Sequence, residues 1–434
     1  MKLVSGLNVM VNKTHNFKVM SDLLGADWWL DIDQFAERDF SDDNYIQNDI
    51  KHPNRVIKEG DTFGYDYISN ITNSDIFAQI EGKFSKFDFF GGVDLKYTEF
   101  WRTGNTTNGK FVFNSGGNSD KQRFLDYAVK VGTTYKITSK HFLLLNAEFL
   151  TRAPYFNDAY ISPRTRDFLI SDINGKKLES EKIISADLSY IFRSQIVMFK
   201  VLGYYTEFFD GIQNTSFYHD ELRTFVNYVM TDVNERHYGG EFGMDIKASQ
   251  TINVTGAFGY GRYLYSSRPS VTIAQDNSSE ILVTDKTVYI KNYHVGGMPE
   301  LAANIGMRYN APKYWYIGFD ANYFDEIYVT LNPERRTVES LQGLYVNDSQ
   351  VDEILNQEKL KGGFTLNVFG GKSWRIKQYS FGFSVSINNV LNNKKFAISG
   401  FEQYRFDRTN INKFPAKYTY MYGINYFVNL FFRF

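Results

Sequence analysis

The sequence predicts an all-β protein, an antiparallel transmembrane β-barrel. Three observations support this fold class. Apolar and polar side chains alternate with a period of two in segments along the whole chain, which is the period of a β-strand. Along the chain, these segments are separated alternately by tight links and by long polar stretches. The segment 420–434 carries an apolar or aromatic side chain at every second position and ends on a phenylalanine.

The composition supports strands that cross a membrane. The chain has 434 residues, with 39 Phe and 31 Tyr but only 8 Pro, and proline is scarce in sheets because it lacks a ladder donor. Mean hydropathy is −0.37, and no run approaches the roughly 18 apolar residues of a membrane-spanning helix. A membrane protein with this hydropathy has to be a closed barrel, whose strands satisfy one another's backbone groups.

Charge and cysteine content exclude several classes of function. The net charge of −1 does not indicate a nucleic-acid partner. The lack of cysteine excludes disulfides, thiolate metal sites and a cysteine nucleophile, and it is compatible with passage through an oxidising periplasm. The N-terminal segment 1–9 alternates and lacks the apolar core of a signal peptide, so we expect the chain to be part of a longer exported protein.

The alternation predicts fourteen strands, near residues 2–12, 65–84, 88–101, 121–137, 141–151, 181–193, 196–209, 236–248, 252–265, 300–311, 314–326, 363–376, 379–390 and 417–434. Residues 62–72 belong either to the second strand or to a hairpin in the first loop. Tight links are predicted near residues 85–87, 139–140, 193–195, 249–251, 312–313 and 377–378. Long polar loops are predicted at residues 13–61, 103–120, 153–180, 210–235, 266–299, 327–362 and 391–416.

The alternation does not by itself show which face of the sheet is covered. A soluble β-sandwich or β-solenoid would bury the apolar face, whereas a barrel presents it to lipid. The unequal loop lengths, strands longer than the usual five or six residues, and tyrosines near strand ends favour the barrel. The polar side chains Arg152, Asp187, Glu241, Asp245, Arg308 and Asp320 are then expected to face the lumen.

Several segments resemble TonB-dependent receptors from Bacteroidetes. They are residues 22–38, 48–61, 151–154 with 162–167, 332–336, and Ile387–Asn393, which is similar to a motif before the last loop of these receptors. The final strand resembles the closing strands of outer-membrane barrels, whose assembly machinery recognises the terminal aromatic residue. That assembly signal corresponds here to Tyr426, Val428, Leu430, Phe432 and Phe434.

The resemblance implies a 22-stranded barrel around a plug, located in the outer membrane, that imports a nutrient with energy from TonB–ExbB–ExbD. The chain departs from this pattern, since it contains no plug and no TonB box. We therefore expect residues 1–434 to be the C-terminal part of a larger barrel domain, with the last strand at an open edge. Expected partners are the TonB–ExbB–ExbD complex through the missing part, the barrel-assembly machinery, membrane lipid and lipopolysaccharide, and a surface lipoprotein.

Aromatic and arginine side chains in the loops are the candidates for substrate binding, because ring faces and forked donors suit sugars, aromatic chelates or peptides. They also suit the membrane interface and the packing between loops. The candidates are Trp28, Trp29, Trp101, Arg102, Tyr155, Tyr160, Arg164, Phe217, Tyr218 and Arg223.

Other chemistry is less well supported, and we expect no cofactor and no enzymatic activity. Gly370–Ser373 lacks the first glycine of a phosphate-binding loop and lies in a strand pattern. The acidic run Asp27, Asp31, Asp33, Glu37, Asp39, Asp42 and Asp43 invites a calcium site without the spacing of an EF-hand, and the six histidines are scattered. Ser216 beside His219 and Asp220 invites a rim hydrolase. A passive porin or an adhesin is the remaining alternative.

Overall fold

A computed structural model describes the whole chain except residues 41, 163, 166, 167, 176, 277, 279, 346 and 347, and the side chains of residues 35, 39, 173 and 174. Fourteen long strands, here called the wall, form one sheet. In chain order they are β1 Lys2–Val19, β2 Thr62–Lys83, β3 Phe87–Gly104, β4 Gln122–Lys136, β5 His141–Arg152, β6 Glu181–Arg193, β7 Val197–His219, β8 Thr224–Lys247, β9 Ile252–Tyr265, β10 Pro299–Ala311, β11 Trp315–Tyr328, β12 Gly363–Ile376, β13 Tyr379–Asn388 and β14 Asn425–Arg433.

The wall is an antiparallel meander in which each strand pairs with its neighbours in sequence. Short links lie at residues 84–86, 137–140, 194–196, 248–251, 312–314 and 377–378. The predicted strand count and the predicted tight links are therefore confirmed. All six links lie at one end of the sheet, and the long loops lie at the other.

The two faces of the wall differ as the alternation predicted. In β3 the side chains of Val93, Leu95 and Tyr97 are 58%, 48% and 38% exposed on one face, here called the outer face. The other, inner face is polar. There Asn304 donates to Asn322 at 2.8 Å, and Asn322 donates to the hydroxyl of Thr365 at 3.3 Å. Because the apolar face is the exposed one, the wall is a transmembrane barrel wall and not half of a sandwich.

The wall is not closed into a ring. Within the described part of the chain, β1 pairs with β2 alone and β14 pairs with β13 alone. The prediction that the last strand lies at an open edge is therefore confirmed. The outer face of β14 carries the predicted apolar row, which is Tyr426, Val428, Leu430, Phe432 and Phe434, all at least half exposed.

Two predicted loops are wrong in part. β1 continues to Val19, so residues 13–19 are paired strand and not loop. β2 begins at Thr62, which confirms the alternative that residues 62–72 belong to the second strand. Residues 210–235 are mostly strand as well, because β7 and β8 continue to a link at residues 220–223. The extended part of β8 is stabilised by a further strand, Ser270–Gln275, which pairs with Val226–Thr231 and covers side chains that sequence alone assigned to solvent.

The last wall strand begins at Asn425 and not at residue 417. Lys417–Tyr420 pairs instead with Ala397–Phe401 in a separate ribbon. Between them, the side chain of Asn389 donates to the carbonyl of Tyr422 at 2.9 Å, and Asn392 accepts from the amide of Ile424 at 3.0 Å. These side chains replace the sheet partners of residues 421–424, which explains why the strand is interrupted there.

The long loops pack into one layer at the loop end of the wall, here called the crown. Its regular segments are the strands Trp29–Leu30, Val56–Ile57, Gly117–Asn118, Ser270–Gln275, Ile281–Thr287, Lys359–Leu360, Ala397–Phe401 and Lys417–Tyr420, the helices Gln34–Asp39, Phe156–Ala159, Ile170–Asn174 and Ser349–Leu355, and the 3₁₀ turns Pro333–Arg336 and Glu339–Leu341. The buried apolar clusters lie at this end, around Phe100 and Tyr160, around Tyr228 and Val271, and around Ile327. None of the described helices has the length and apolar character needed to cross a membrane.

Candidate ligand-binding cleft

A cleft of about 250 Å³ lies where the inner face of the wall meets the crown. Inner-face residues of three strands supply its floor. Arg152 at the end of β5 is opposite Glu181 at the start of β6, and Phe208 in the middle of β7 is opposite Ile183 of β6. Loop residues Tyr155 and Asp158 supply one side. The cleft is therefore open to the crown and continuous with the polar interior.

Carboxylates dominate the cleft, because Asp158, Glu179, Glu181, Asp210 and Glu235 line it together with Arg152. Arg152 Nη2 pairs with Glu181 Oε2 at 2.5 Å, and its guanidinium lies 4.9 Å from the ring centre of Tyr155. Burial raises the pKa of Asp158, and while Arg152 opposes this shift, the charge of Glu181 adds to it. The cleft therefore presents hydrogen-bond acceptors and aromatic surface.

Below the cleft, aromatic side chains continue along the inner face of β7, β8 and β9. His237 packs against Phe208 and Tyr263, with ring centres 5.1 and 4.9 Å apart. The hydroxyls of Tyr204 and Tyr263 are 3.1 Å apart. Sequence reasoning missed these residues because they interrupt a face that otherwise reads as small and polar.

The structure places four of the predicted binding residues away from this cleft. Trp28 and Trp29 are 52% and 39% exposed in the first crown loop. Trp101 lies on the outer face of β3, with Lys121 Nζ 4.3 Å from its ring centre. Arg102 is buried with its guanidinium 4.3 Å from the ring centre of Tyr67.

Of the other six predicted binding residues, Phe217 and Tyr218 lie near the crown end of β7, and the remaining four lie in loops at that end. Tyr155 lines the cleft. Tyr160 and Phe217 pack in separate buried clusters, and the Tyr160 hydroxyl is 2.8 Å from Ser119 Oγ. Arg164 pairs with Asp276 at 2.9 Å. The ring centre of Tyr218 lies 5.1 Å from the guanidinium of Arg405. Arg223 is at the exposed tip of the β7–β8 hairpin. The ten residues therefore do not form one constellation, and their role in binding stays a prediction.

A buried ion pair joins two crown loops. Arg336, which lies in one of the segments that carry the family resemblance, is 1% exposed and contacts Glu402 through both terminal nitrogens. Arg336 Nη2 also donates to the carbonyl of Asn356 at 2.9 Å. Glu402 Oε2 accepts from the backbone amide of Asn332 at 2.7 Å. The pair holds the loops 329–362 and 389–424 together.

A second buried charge cluster joins the loop that carries Arg336 to two further segments. Glu334 Oε1 accepts from Lys286 Nζ at 2.5 Å, and His219 Nε2 lies 3.5 Å from the same oxygen. Burial by itself would raise the pKa of Glu334, but the proximity of His219 and the charge of Lys286 outweigh it and leave this pKa below the usual 4.5. Glu334 is therefore ionised in the folded crown, where it links the end of β7 to two loops.

Acid is expected to weaken the crown through Glu334. Because its folded pKa lies below the unfolded value of 4.5, its stabilisation is complete above about pH 4.5 and is lost as the pH falls through the folded pKa. The hydrogen-exchange protection factors of segment 330–337, which are corrected for intrinsic amide exchange, should therefore decrease as the pH falls below about 4.5. Glu334→Gln should exchange faster at about pH 6 and show a flatter pH dependence, whereas equal pH profiles would contradict the assignment.

The residues considered for a calcium site or a phosphate-binding loop have other surroundings in the structure. Asp31 pairs with Arg55 at 2.6 Å and Asp33 with Lys110 at 2.9 Å, so these carboxylates of the acidic run already have cations. The side chain of Asp39 lies outside the described residues, as do Pro163, Arg166 and Asp167 of the loop motif. Gly370–Ser373 lies within β12.

The predicted rim-hydrolase residues are also engaged elsewhere. Ser216 Oγ donates to Asn227 Oδ1 at 2.5 Å, and His219 lies beside Glu334. Arg405 binds both oxygens of Asp220, at 2.7 and 3.0 Å. The three residues are therefore not aligned with one another as a nucleophile, a base and an orienting acid would be.

An antiparallel meander with an exposed apolar face, a polar interior and long loops at one end defines an outer-membrane β-barrel. Residues 6–392 match the family model described as TonB dependent receptor-like, beta-barrel, and the chain belongs to this family. It is therefore a protein of the bacterial outer membrane. A search among curated proteins finds no match.

Solved structures with this fold are receptors and transporters. The chain is similar to the copper transporter OprC, with 13% identity, 99% of this chain and 54% of that chain covered, and a TM-score of 0.57. The ferric-catecholate import receptor Fiu from Escherichia coli K12, in its closed form, is 13% identical. The match covers 99% of this chain and 51% of that chain, with a TM-score of 0.56. The siderophore receptor PiuA from Acinetobacter baumannii is 13% identical. The match covers 87% of this chain and 45% of that chain, with a TM-score of 0.54. The chain spans about half the length of these structures.

Proposed function

We propose that this chain is the C-terminal barrel part of an outer-membrane receptor of the type found in Bacteroidetes, which imports a nutrient with energy from TonB–ExbB–ExbD. The observation that carries the proposal is the cleft, because it joins the crown to a polar interior in a chain of this receptor family. In the whole receptor, further strands complete the wall at the edges of β1 and β14, and a plug fills the interior.

The chemistry of the cleft supports a solute rich in hydrogen-bond donors. Five carboxylates, one guanidinium and the aromatic rings of Tyr155 and Phe208 line the cleft. Acceptors of this kind bind hydroxyl, amide or ammonium groups, and charged acceptors form the stronger hydrogen bonds. We propose a polar solute that carries such donors as the ligand of this cleft.

Uptake by the receptor in cells with and without TonB tests the energised mechanism. Cells that carry the receptor should outgrow cells that lack it on limiting amounts of its nutrient, identified from a panel of chelated metals, oligosaccharides and peptides. Deletion of TonB should abolish this advantage. An advantage that persists without TonB would support the passive porin, and attachment to surfaces without any nutrient advantage would support the adhesin.

Glu235→Gln is expected to weaken uptake at limiting nutrient by about tenfold or more, the effect of losing one hydrogen bond to a charged group. The matched control is Glu207→Gln, in the same hairpin. Glu235 lines the cleft and lies 3.0 Å from His237, whereas Glu207 lies on the outer face and pairs with Arg236 at 2.8 Å. Equal uptake by both variants would contradict the role of the cleft.

A further inference from the structure

We propose that the ligand of the cleft is an elongated oligomer with ammonium groups, which extends past Glu179 into a neighbouring cleft. Such an oligomer would be the imported nutrient, so this proposal rests on the proposed function and names the class of solute. Two properties of the molecule support it, namely the shape of the two adjoining clefts and the charge of the side chains that line them.

The neighbouring cleft, here called the side cleft, shares the lining residues Glu179, Asp210 and Ile212 with the cleft. The rest of its lining is Ile170, Ser171, Lys177, Leu178, Thr231 and Asp232. Its volume is about 410 Å³, whereas the cleft has about 250 Å³. Ligand pockets usually measure roughly 300–1,000 Å³, so the cleft alone is small and the two clefts joined lie within that range.

Two features of the strands explain why the clefts adjoin. Pairing between β6 and β7 ends at Lys182 and Phe209, which leaves the segment before β6 outside that ladder. At the same height β7 carries a bulge, with register shifts on both sides of Gly211. Asp210 has a φ of 62° there, and Asp232 on β8 has a φ of 61°. Since a bulge re-aims the side chains beside it, Asp210 can line both clefts.

Carboxylates outnumber cations across the two clefts. The lining carboxylates are Asp158, Glu179, Glu181, Asp210, Asp232 and Glu235, and the lining cations are Arg152 and Lys177. A cleft lined mainly by one sign of charge attracts solutes of the opposite sign. Ammonium groups are therefore favoured here over the negative charges of an anionic chelate.

The ion pairs at the clefts leave this excess of carboxylates in place. Arg152 and Lys182 each pair with a single carboxylate, at 2.5 and 2.7 Å. Asp158 and Glu179 form no ion pair with any residue that the structure describes. Because Glu179 lines both clefts, it is the carboxylate that a ligand contacts as it extends from one cleft into the other.

The two clefts differ in the surface that they offer. Among the described residues, aromatic rings line the cleft alone, and the Tyr155 side chain is 60% exposed there. An ammonium-bearing unit can pack against such a ring face. The side cleft instead offers carboxylates and the hydroxyls of Ser171 and Thr231. A single small unit cannot make both sets of contacts, so the ligand has at least two units.

Binding of charged and neutral trimers tests the proposal. The purified receptor that contains this chain is titrated in a calorimeter with a glucosamine trimer, its N-acetylated form, the glucosamine monomer and trilysine. At least one charged trimer, the amino sugar or the peptide, should bind, and the amino-sugar trimer should bind about tenfold or more tightly than its monomer and its neutral form if the ligand is a sugar. Trilysine should exceed lysine by the same factor if the ligand is a peptide. Binding by neither charged trimer, or equal affinity for trimer and monomer, would overturn the proposal.

Two substitutions change the side cleft in opposite directions. Asp232→Asn should weaken binding of the charged trimer by about tenfold and leave the monomer within about twofold, since asparagine tolerates a positive φ. Lys177→Gln removes an exposed cation and should strengthen trimer binding by about twofold to fivefold, a gain that misfolding would not produce. Glu235→Gln, which changes the cleft alone, should weaken monomer and trimer alike.

Glu207→Gln on the outer face of the same hairpin is the matched control and should change neither affinity by more than about twofold. Equal effects of Asp232→Asn on monomer and trimer, or weaker trimer binding after Lys177→Gln, would contradict the side cleft as a binding site. If neither charged trimer binds but the receptor still supports TonB-dependent growth on another nutrient, the ligand assignment fails and the transport proposal stands.

Discussion

Arg336→Ala is expected to destabilise the crown by about 3–5 kcal/mol, because it leaves a buried carboxylate without its partner. Glu402 is 6% exposed, and among the described residues its carboxylate keeps a hydrogen bond from the amide of Asn332 and the nearby charge of Arg335. Loops 329–362 and 389–424 should then separate, and their amides should exchange faster by orders of magnitude while the wall strands keep their protection. Hydrogen exchange read by mass spectrometry measures both regions in one experiment.

Two further variants serve as controls for the prediction about Arg336. Arg405→Ala removes an ion pair whose side chains are 42% and 14% exposed, and it should cost less than Arg336→Ala, about 1 kcal/mol. The double variant R336M/E402L replaces the buried pair with apolar side chains and should recover much of the lost protection. If Arg336→Ala and Arg405→Ala have equal effects, the buried pair does not hold the crown together.

Leu145→Arg is expected to destabilise the membrane-inserted wall by about 2–4 kcal/mol, the cost of an arginine on the lipid face of a barrel near the bilayer midplane. Leu145 lies near the middle of β5 between Thr133 and Leu188, and its side chain is 49% exposed on the outer face. Urea unfolding of the barrel in lipid vesicles should show the loss as a lower midpoint.

The next residue along β5 provides the matched control. Asn146 points to the inner face, where its side-chain amide donates to both oxygens of Asp187 at 3.0 and 3.1 Å. Asn146→Arg can pair with Asp187 there, so its cost should be much smaller than that of Leu145→Arg. Equal costs for the two substitutions would show that the faces are assigned wrongly or that the strand is not in lipid.

The wall could be predicted from the sequence because its determinants are local. Alternation within a strand fixes which side chains share a face, and twelve of the fourteen strands pair with a neighbour across one of the six short links. For example, the links predicted at residues 249–251 and 312–313 lie between paired strands in the structure. Interruption of the last strand could not be predicted, because the side chains of Asn389 and Asn392 that cause it belong to a different segment.

The crown and its cleft could be predicted only in part, because their determinants are distant in sequence. Arg336 and Glu402 are 66 residues apart, so neither could be recognised as buried from its neighbours. Tyr155 was predicted for binding and lines the cleft, whereas Tyr160 has similar surroundings in sequence and packs in a core cluster. An aromatic residue in a loop has the same sequence signature in both cases.

The strict pairing of neighbours in the wall has a consequence for how the protein folds. Each of the six two-strand units closes across a link of two to four residues, so its loop-closure entropy is small. Except for the four-residue link 220–223, the crown loops between units are far longer, and their closure is offset only when their buried clusters form. We therefore infer that hairpins form first and dock in sequence, and that the crown orders last.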